Sequence, residues 1–398
     1  MSALAHLPQL DVDPFDAEVL RAPGSYHESL RTLGCAVALP RYGVVASGRI
    51  AGVEQVFRDW RTFTSARGVG LADFAAEPPW RPPSIVLEVD PPAHERTRRV
   101  LARALAPAAV ARLRATMART AVDYVERALA AGTVDGAREL AQAFPLEVFG
   151  DAVGLDDGPR ENLLRYGAMV FNALGPDNAM RRRALAAADE VVPWIAAKCT
   201  RPALREGGFG AAIHAAAADG DISADEAALL VRSLLSAGID TTVATLAFAL
   251  DAFARHPAQW SRLRAKPALI PAAIDEVLRW ASPVHTFCRT STRDCVIGDA
   301  PVPAGTKVLC VIAAANRDPA RWEDADRFDI ARPRRPHAAF GSGIHVCVGQ
   351  HVARQEVTVL LEALVARVAR IEPAGAAVLE PGNSVNGIAA LPLALYAD

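Results

Sequence analysis

One cysteine in this sequence is set apart by its neighbours. Cys347 lies in Phe340-Gly-Ser-Gly-Ile-His-Val-Cys-Val-Gly349, where three glycines let the backbone turn tightly and approach something flat and bulky. Directly after Gly349 the text Gln350-His-Val-Ala-Arg-Gln-Glu356 turns helical. The sulfur is therefore expected near a helix N-terminus, where free N–H groups and the positive dipole end favour a thiolate. A second place that could do chemistry is Ala237-Gly-Ile-Asp-Thr-Thr242. Glycine and two threonines are poor helix formers, and Asp240 interrupts an otherwise apolar stretch. A local rule broken in mid-helix suggests a functional site, although a carboxylate on the polar face of the helix would read the same way.

These residues need elements to position them. Ser223-Ala-Asp-Glu226 has the form of a capping box. The helical pattern then continues to His256-Pro257, where proline stops it. At ~1.5 Å per residue such a helix makes a rod of roughly 50 Å, long enough to cross the whole molecule, with Asp240 near its middle. From about Pro92 to Pro271 the sequence is Ala-, Leu- and Arg-rich at helical spacing, punctuated by Pro and Gly. Short β-like pieces flank it: Tyr42-Gly-Val-Val-Ala-Ser, and Val296-Ile-Gly followed by Thr306-Lys-Val-Leu-Cys-Val-Ile, which reads as a hairpin. No repeat, low-complexity tract or polar linker divides the chain, so residues 1–398 are expected to form one mainly α domain with small peripheral β-sheets.

Composition narrows the function classes. The formal net charge is −2, with 51% hydrophobic and 22% charged residues, which suits a large core and argues against nucleic acid as the main partner. The opening MSALAHLPQLDVDPFD has neither a basic start nor a continuous apolar run. Ala227 to Phe253 is the most apolar stretch, but Arg232, Asp240 and Asp251 cut it well below the roughly 18 residues of a membrane span. A cytoplasmic protein with no membrane partner is expected. The six cysteines show no C-x-x-C spacing, which removes the usual zinc and thioredoxin readings, and no C-x-x-C-H for covalent haem. Apart from Cys347 they read as inert thiols.

The ten residues Phe340 to Gly349 match F-G-x-G-x-H-x-C-x-G at every fixed position, and so resemble the haem-ligand loop of the cytochrome P450 family. Further matches follow in the family's order and span nearly the whole chain. Glu276-Val-Leu-Arg279 resembles its E-x-x-R motif, with Arg327 expected to complete a structural Glu/Arg/Arg network. Pro91-Pro-Ala-His94-Glu-Arg-Thr-Arg98 resembles the start of its C helix. The resemblance implies a triangular prism of helices around a buried haem b, with Cys347 as the axial thiolate, which favours O–O cleavage. It assigns His94, Arg98, Arg289 and His345 to the propionates, Phe340 and Gly349 to the ligand loop, and Ala237 and Gly238 to the oxygen-binding face. Asp240 and Thr241 become the acid–alcohol pair that delivers protons to bound O₂. With no flavin or iron–sulfur motif present, electrons must come from a partner. The family's partner is a [2Fe–2S] ferredoxin with an NAD(P)H ferredoxin reductase. The arginines 96, 98, 99, 103, 112, 114 and 119 form a basic segment on a slightly acidic chain, a plausible dock for an acidic protein.

The resemblance is closer to the bacterial monooxygenases that O-demethylate 4-methoxybenzoate. It rests on Ser65-Ala-Arg-Gly-Val-Gly-Leu, Trp80-Arg-Pro-Pro-Ser-Ile-Val-Leu-Glu and Leu230-Val-Arg-Ser-Leu-Leu-Ser-Ala-Gly. In that group polar residues matching Arg81, Ser84 and Ser233, with Arg232 nearby, hold a small aromatic acid by its carboxylate. Phe171, Leu174, Val284 and Phe287 would form the apolar wall. Leu174, His285 and Cys288 depart from the Phe, Gln and Phe expected there, which leaves bulkier para groups or cinnamates open. Two alternatives stand beside this reading: a monooxygenase of another small hydrophobic molecule such as a terpenoid, and a haem-based binding or sensing protein without turnover.

Overall fold

The apolar spacing of the middle of the chain produces a helical core, and the computed structural model describes residues 4–156 and 158–397. The capping box forms as expected: the Ser223 amide donates to Glu226 Oε2 at 2.8 Å and the Glu226 amide to Ser223 Oγ at 3.1 Å. The long helix that it starts is interrupted, however. It runs as Ala224–Ala237 and resumes as Asp240–Arg255, with Gly238 and Ile239 between. Threonine hydroxyls account for the break. Thr241 Oγ1 donates to the Ala237 carbonyl at 3.0 Å and Thr242 Oγ1 to that of Gly238 at 3.3 Å, so groups that lose helical partners find side chains instead. Gly238 is required for a different reason: a Cβ there would stand 2.1 Å from Phe149 Cζ. Together the two halves are long and apolar enough to cross a membrane, but 56% of the most apolar window is buried inside the protein, and they serve as its core helix.

Around this axis pack Ala93–Ala104, Pro107–Ala131, Glu161–Asn172, Ile270–Ala281 and Gln350–Arg367. Their inward stripes join one large apolar cluster that includes Phe144, Phe149, Phe253 and Trp260. Two smaller clusters lie under a peripheral five-stranded sheet. In that sheet Lys307–Val311 lies parallel to Val44–Ser47 and antiparallel to Thr286–Ser291. The expected hairpin is therefore corrected. Cys295–Ile297 pairs with Ala300–Val302, while Lys307–Val311 leaves to become an interior strand, buried at every position. Four apolar residues in a row leave no wet face, and Lys307 Nζ is itself turned to the Arg67 and Gly68 carbonyls, so the strand lies between two partners.

The helix Ile270–Ala281 holds the chain leading to the cysteine loop. Arg279 grips Glu276 with two bonds of 2.7 Å, and the side chains are only 3% and 5% exposed. The same guanidinium donates to the carbonyls of Ala325 (2.7 Å), Asn316 (3.1 Å) and Arg327 (3.2 Å). The second arginine is Arg332, whose Nε lies 3.3 Å from Glu276 Oε1. Arg327 does not complete the network through its side chain, which pairs with Asp329 at 2.9 Å nearer the surface. Breaking a buried, paired charge costs about 3–5 kcal/mol, and an exposed pair contributes roughly 0–1 kcal/mol. Arg279→Ala is therefore expected to lose folded protein or most of its thermal stability, and Arg327→Ala to stay near wild type. Thermal melts of both variants decide which arginine belongs to the network.

Candidate active site

The cysteine loop closes on itself before its helix begins. The Cys347 amide donates to the Phe340 carbonyl at 2.9 Å, and Gly341 and Gly343 take φ of 69° and 73°, in the left-handed region that favours glycine. A Cβ on Gly343 would also stand 2.4 Å from the Phe57 carbonyl oxygen. Cys347 thus sits just ahead of the N-terminus of Gln350–Arg367, as its spacing predicted. Burial pushes its thiol up, while the amides of Gly349 and Gln350 and the charges of Arg98 and Arg354 pull it down. Those opposing groups favour a thiolate once a cation binds the sulfur.

Above the sulfur lies a cavity of about 270 Å³, against the ~10–15 Å³ one water needs. Cys347, Phe340 and Gly349 line one side, and Ala237, Gly238 and Thr241 at the helix break line another. Leu101, Ile274, Leu278 and Val352 make its walls largely apolar. Donors gather at one edge. His94 and His345 pack ring to ring at 4.5 Å, and all four ring nitrogens are buried without a hydrogen-bond partner. Asp90 is 3.9 Å from His345, beyond bonding reach. His345, Arg98 and Arg289 line the cavity, Arg289 stacked on Phe57 at 4.9 Å, whereas His94 stands outside the lining against His345. Burial, with His345 and Arg98, holds His94 down to about 4. A flat apolar group carrying two carboxylates suits this set: apolar walls for its face, a sulfur for its metal, and two cations with unsatisfied imidazoles for its acids. The residues fit haem.

The acid and the alcohol are treated differently by the fold. Thr241 faces the cavity, but Asp240 is absent from its lining. The Asp240 carboxyl is instead tucked against Gly167, where a Cβ would stand 2.4 Å from Oδ2, and its Oδ1 is buried without a partner. Burial and Glu380 push this carboxyl well above the usual range. Asp240 therefore stands behind the cavity wall rather than in it, because consecutive helical residues point about 100° apart.

Every residue expected to contact an acid lines the cavity: Arg81, Ser84, Arg232 and Ser233 in one group, and Phe171, Leu174, Val284 and Phe287 as apolar wall. Ser84 and Ser233 are 3.2 Å apart, oxygen to oxygen, across 149 residues of sequence. Arg232 reaches over to the carbonyls of Pro82 (2.9 Å) and Pro83 (3.3 Å). Arg81 lies 3.3 Å from Glu88, an internal carboxylate that the sequence reading did not single out, although a lone charge after Ile-Val-Leu was its visible signal. Ser236, Thr242 and Thr245 also line the cavity; Thr242 belongs to the stretch marked by its poor helix formers, whereas nothing in the spacing of Ser236 and Thr245 marked them. His285 and Cys288 do not line it. His285 turns to the Gly382 carbonyl at 2.8 Å, and Cys288 alternates to the face opposite Phe287 and Arg289. Of the three departures only Leu174 bears on the cavity, where it also borders a smaller one of about 30 Å³.

The basic segment is thinner than its sequence suggested. Arg96 pairs with Glu226, Arg103 with Asp221 and Arg114 with Glu362, while Arg98 turns inward to the Val346 carbonyl. Arg99 and Arg112 are exposed and make no ion pair among the described residues.

Known proteins agree with this geometry. A family model for cytochrome P450 matches residues 210–372. The chain is 48% identical to cytochrome P450 CYP199A2 of Rhodopseudomonas palustris, over 98% of this chain and 95% of that protein. It is 32% identical to the beta-dihydromenaquinone-9 omega-hydroxylase of Mycobacterium tuberculosis, over 91% of this chain and 74% of that one. Among solved structures, cytochrome P450 CYP109Q5 from Chondromyces apiculatus superposes with a TM-score of 0.82 at 30% identity, covering 98% of this chain and 99% of that one. Fold, relatives and cavity converge on one family: the chain is a cytochrome P450, a monooxygenase that uses O₂ and a haem held by a cysteine thiolate.

Proposed function

We propose that this monooxygenase acts on para-substituted benzoates, with the O-demethylation of 4-methoxybenzoate as its reaction. The observation that carries the reading is the polar group of Ser84, Ser233, Arg81 and Arg232 at the wall of an otherwise apolar cavity. An acid entering such a cavity loses hydration worth several kcal/mol, which hydroxyl and guanidinium donors must replace. The clamp also orients the ring. Held by its carboxylate, the acid directs its para group away from the serines, and Phe171, Leu174, Val284 and Phe287 confine the ring between. Leucine at 174 leaves more room than phenylalanine would, which favours tolerance of bulkier para groups.

In this reading Cys347 would hold the haem iron through its thiolate, and His94, Arg98, Arg289 and His345 would hold the propionates. When bound, haem supplies activation of O₂ and insertion of one oxygen atom into a substrate C–H bond. The chain's own residues deliver the protons. Asp240, whose burial favours the protonated carboxyl, is the source. Thr241 at the helix break hands the proton on through ordered water. Two electrons and two protons reduce the second oxygen atom to water. Hydroxylation of the methoxy carbon yields a hemiacetal that collapses to 4-hydroxybenzoate and formaldehyde. The electrons come from a [2Fe–2S] ferredoxin and its NAD(P)H reductase in the cytoplasm, docking beside exposed Arg99 and Arg112. Residues 1–398 form the one domain that does this.

Three experiments test this reading. Cys347→Ser should lose the long-wavelength absorption of the reduced CO complex; a variant that kept this band and its activity would contradict the ligand. Thr241→Ala should go on oxidising NAD(P)H while hydrogen peroxide replaces product, whereas Asp240→Asn should slow turnover. Unchanged coupling in both would remove the relay. For the clamp, charge-assisted hydrogen bonds contribute roughly 1.5–3 kcal/mol each, so Ser84→Ala should weaken 4-methoxybenzoate binding by about 10- to 150-fold. The neutral methyl ester should bind more weakly than the acid in an optical titration. An ester that binds as well as the acid would leave the substrate class open.

A further inference from the structure

We propose that Glu88 sets both the charge and the geometry of the acid-binding end of the cavity, restricting it to singly charged acids. This rests on the carboxylate-clamp reading and goes beyond it, because Glu88 does not line the main cavity and acts through residues that do. Its side chain is 3% exposed, at the end of the apolar run Ile85-Val-Leu87. Burying a carboxylate is costly unless its acceptors are used, and here Oε2 has both an amide and a cation beside it. Glu88 Oε2 accepts the Ser84 amide at 2.7 Å and lies 3.3 Å from Arg81 Nη1. The Glu88 amide in turn donates to the Ser84 carbonyl at 2.9 Å, and the Leu87 amide to Ser84 Oγ at 3.2 Å. Ser84 is thus tied at amide, carbonyl and hydroxyl, which fixes the direction in which its hydroxyl meets Ser233.

Arg81 is held less completely. Nη1 is shared between Glu88 and the Pro82 carbonyl at 2.8 Å, and the buried Nε has no partner. The Nε–H is therefore among the donors left for an incoming acid. The charges around this end can be added up. Arg81 and Arg232 face the cavity, and guanidinium does not deprotonate in proteins. Glu88 subtracts one. Neighbouring Tyr166 and Cys199 are neutral, since burial raises the phenol and pushes the thiol up to about 12. On the far side of Arg81, the smaller cavity adds Arg181 and Glu77, one of each sign. The clamp end carries one positive charge. A monocarboxylate neutralises it, a dianion overshoots by one, and a neutral ester leaves it unanswered.

The test uses the haem-loaded, full-length enzyme and calorimetric binding of three ligands. These are 4-methoxybenzoate, its methyl ester, and 4-methoxyphenylphosphonate at a pH above its second ionisation. Wild type should prefer the carboxylate. Glu88→Gln keeps an acceptor for the Ser84 amide but removes the charge, and should shift the ratio of affinities toward the phosphonate by at least about tenfold. Arg81→Met/Glu88→Gln removes both charges and should return the ratio to within about threefold of wild type. If Glu88→Gln does not fold, Glu88→Met, which removes the charge at similar volume, carries the test, with the same shift toward the phosphonate expected. Glu88→Asp should keep the charge preference while lowering the share of NAD(P)H that ends in product. A role confined to packing would weaken all three ligands alike and leave the ratio unmoved, and that result overturns the inference. A wild type that binds the ester as tightly as the acid overturns the clamp reading and this inference with it. Preference for the acid, with an unmoved ratio in Glu88→Gln, overturns the inference alone.

Discussion

Arg98, Arg289 and His345, from three separate parts of the chain, stand at one edge of an apolar cavity with His94 packed against His345, so that two cations and four unpartnered ring nitrogens gather there. Leaving such groups buried without acceptors costs several kcal/mol, so the fold holds them there against a standing penalty. A flat group with two carboxylates relieves that penalty, which makes the haem part of the folding balance as well as of the chemistry. The rest of the cavity is arranged around the plane so defined, with a sulfur on one side and the broken helix on the other.

Two rigid devices keep these surroundings in place. Glu276, Arg279 and Arg332 tie the Ile270–Ala281 helix to the carbonyls of the segment leading to Cys347, so that loop is positioned from behind by buried charge. On the opposite side, threonine hydroxyls satisfy the carbonyls at the break between Ala237 and Asp240. A break without such partners would leave backbone polar groups stranded in an apolar wall. With them, the helix can open toward the cavity without losing its hydrogen bonds.

Charge in the substrate end is handled by the same logic on a smaller scale. Arg81 and Arg232 would repel each other in an apolar wall, and Glu88 offsets part of that repulsion while fixing Ser84. Acid binding, in this reading, completes a charge balance that the protein leaves one unit short.

Much of this was legible in the sequence. The cysteine loop announced itself through glycines that only a tight turn requires, and the capping box and His256-Pro257 marked the limits of the core helix because caps and proline act through local backbone hydrogen bonding. The type of each long helix followed from its own periodicity. Where elements meet depends on packing between distant segments, and there the local pattern was silent or misleading. Poor helix formers marked Gly238 as the place for a kink, but the full break there rests on threonine back-bonding, and the need for glycine on the distant ring of Phe149. Lys307–Val311 joins an interior sheet because its two faces find partners far away in sequence. Arg332 rather than Arg327 reaches Glu276, since a difference of a few residues in an irregular segment decides which guanidinium points inward. The sequence by itself determined the kinds of groups available: a thiolate-forming loop, an acid beside an alcohol, arginines and serines for an anion. Only the tertiary structure decided which of them face one cavity, turning Thr241 toward it and Asp240 behind it, because side-chain direction is set by helix phase and by what packs on the other side.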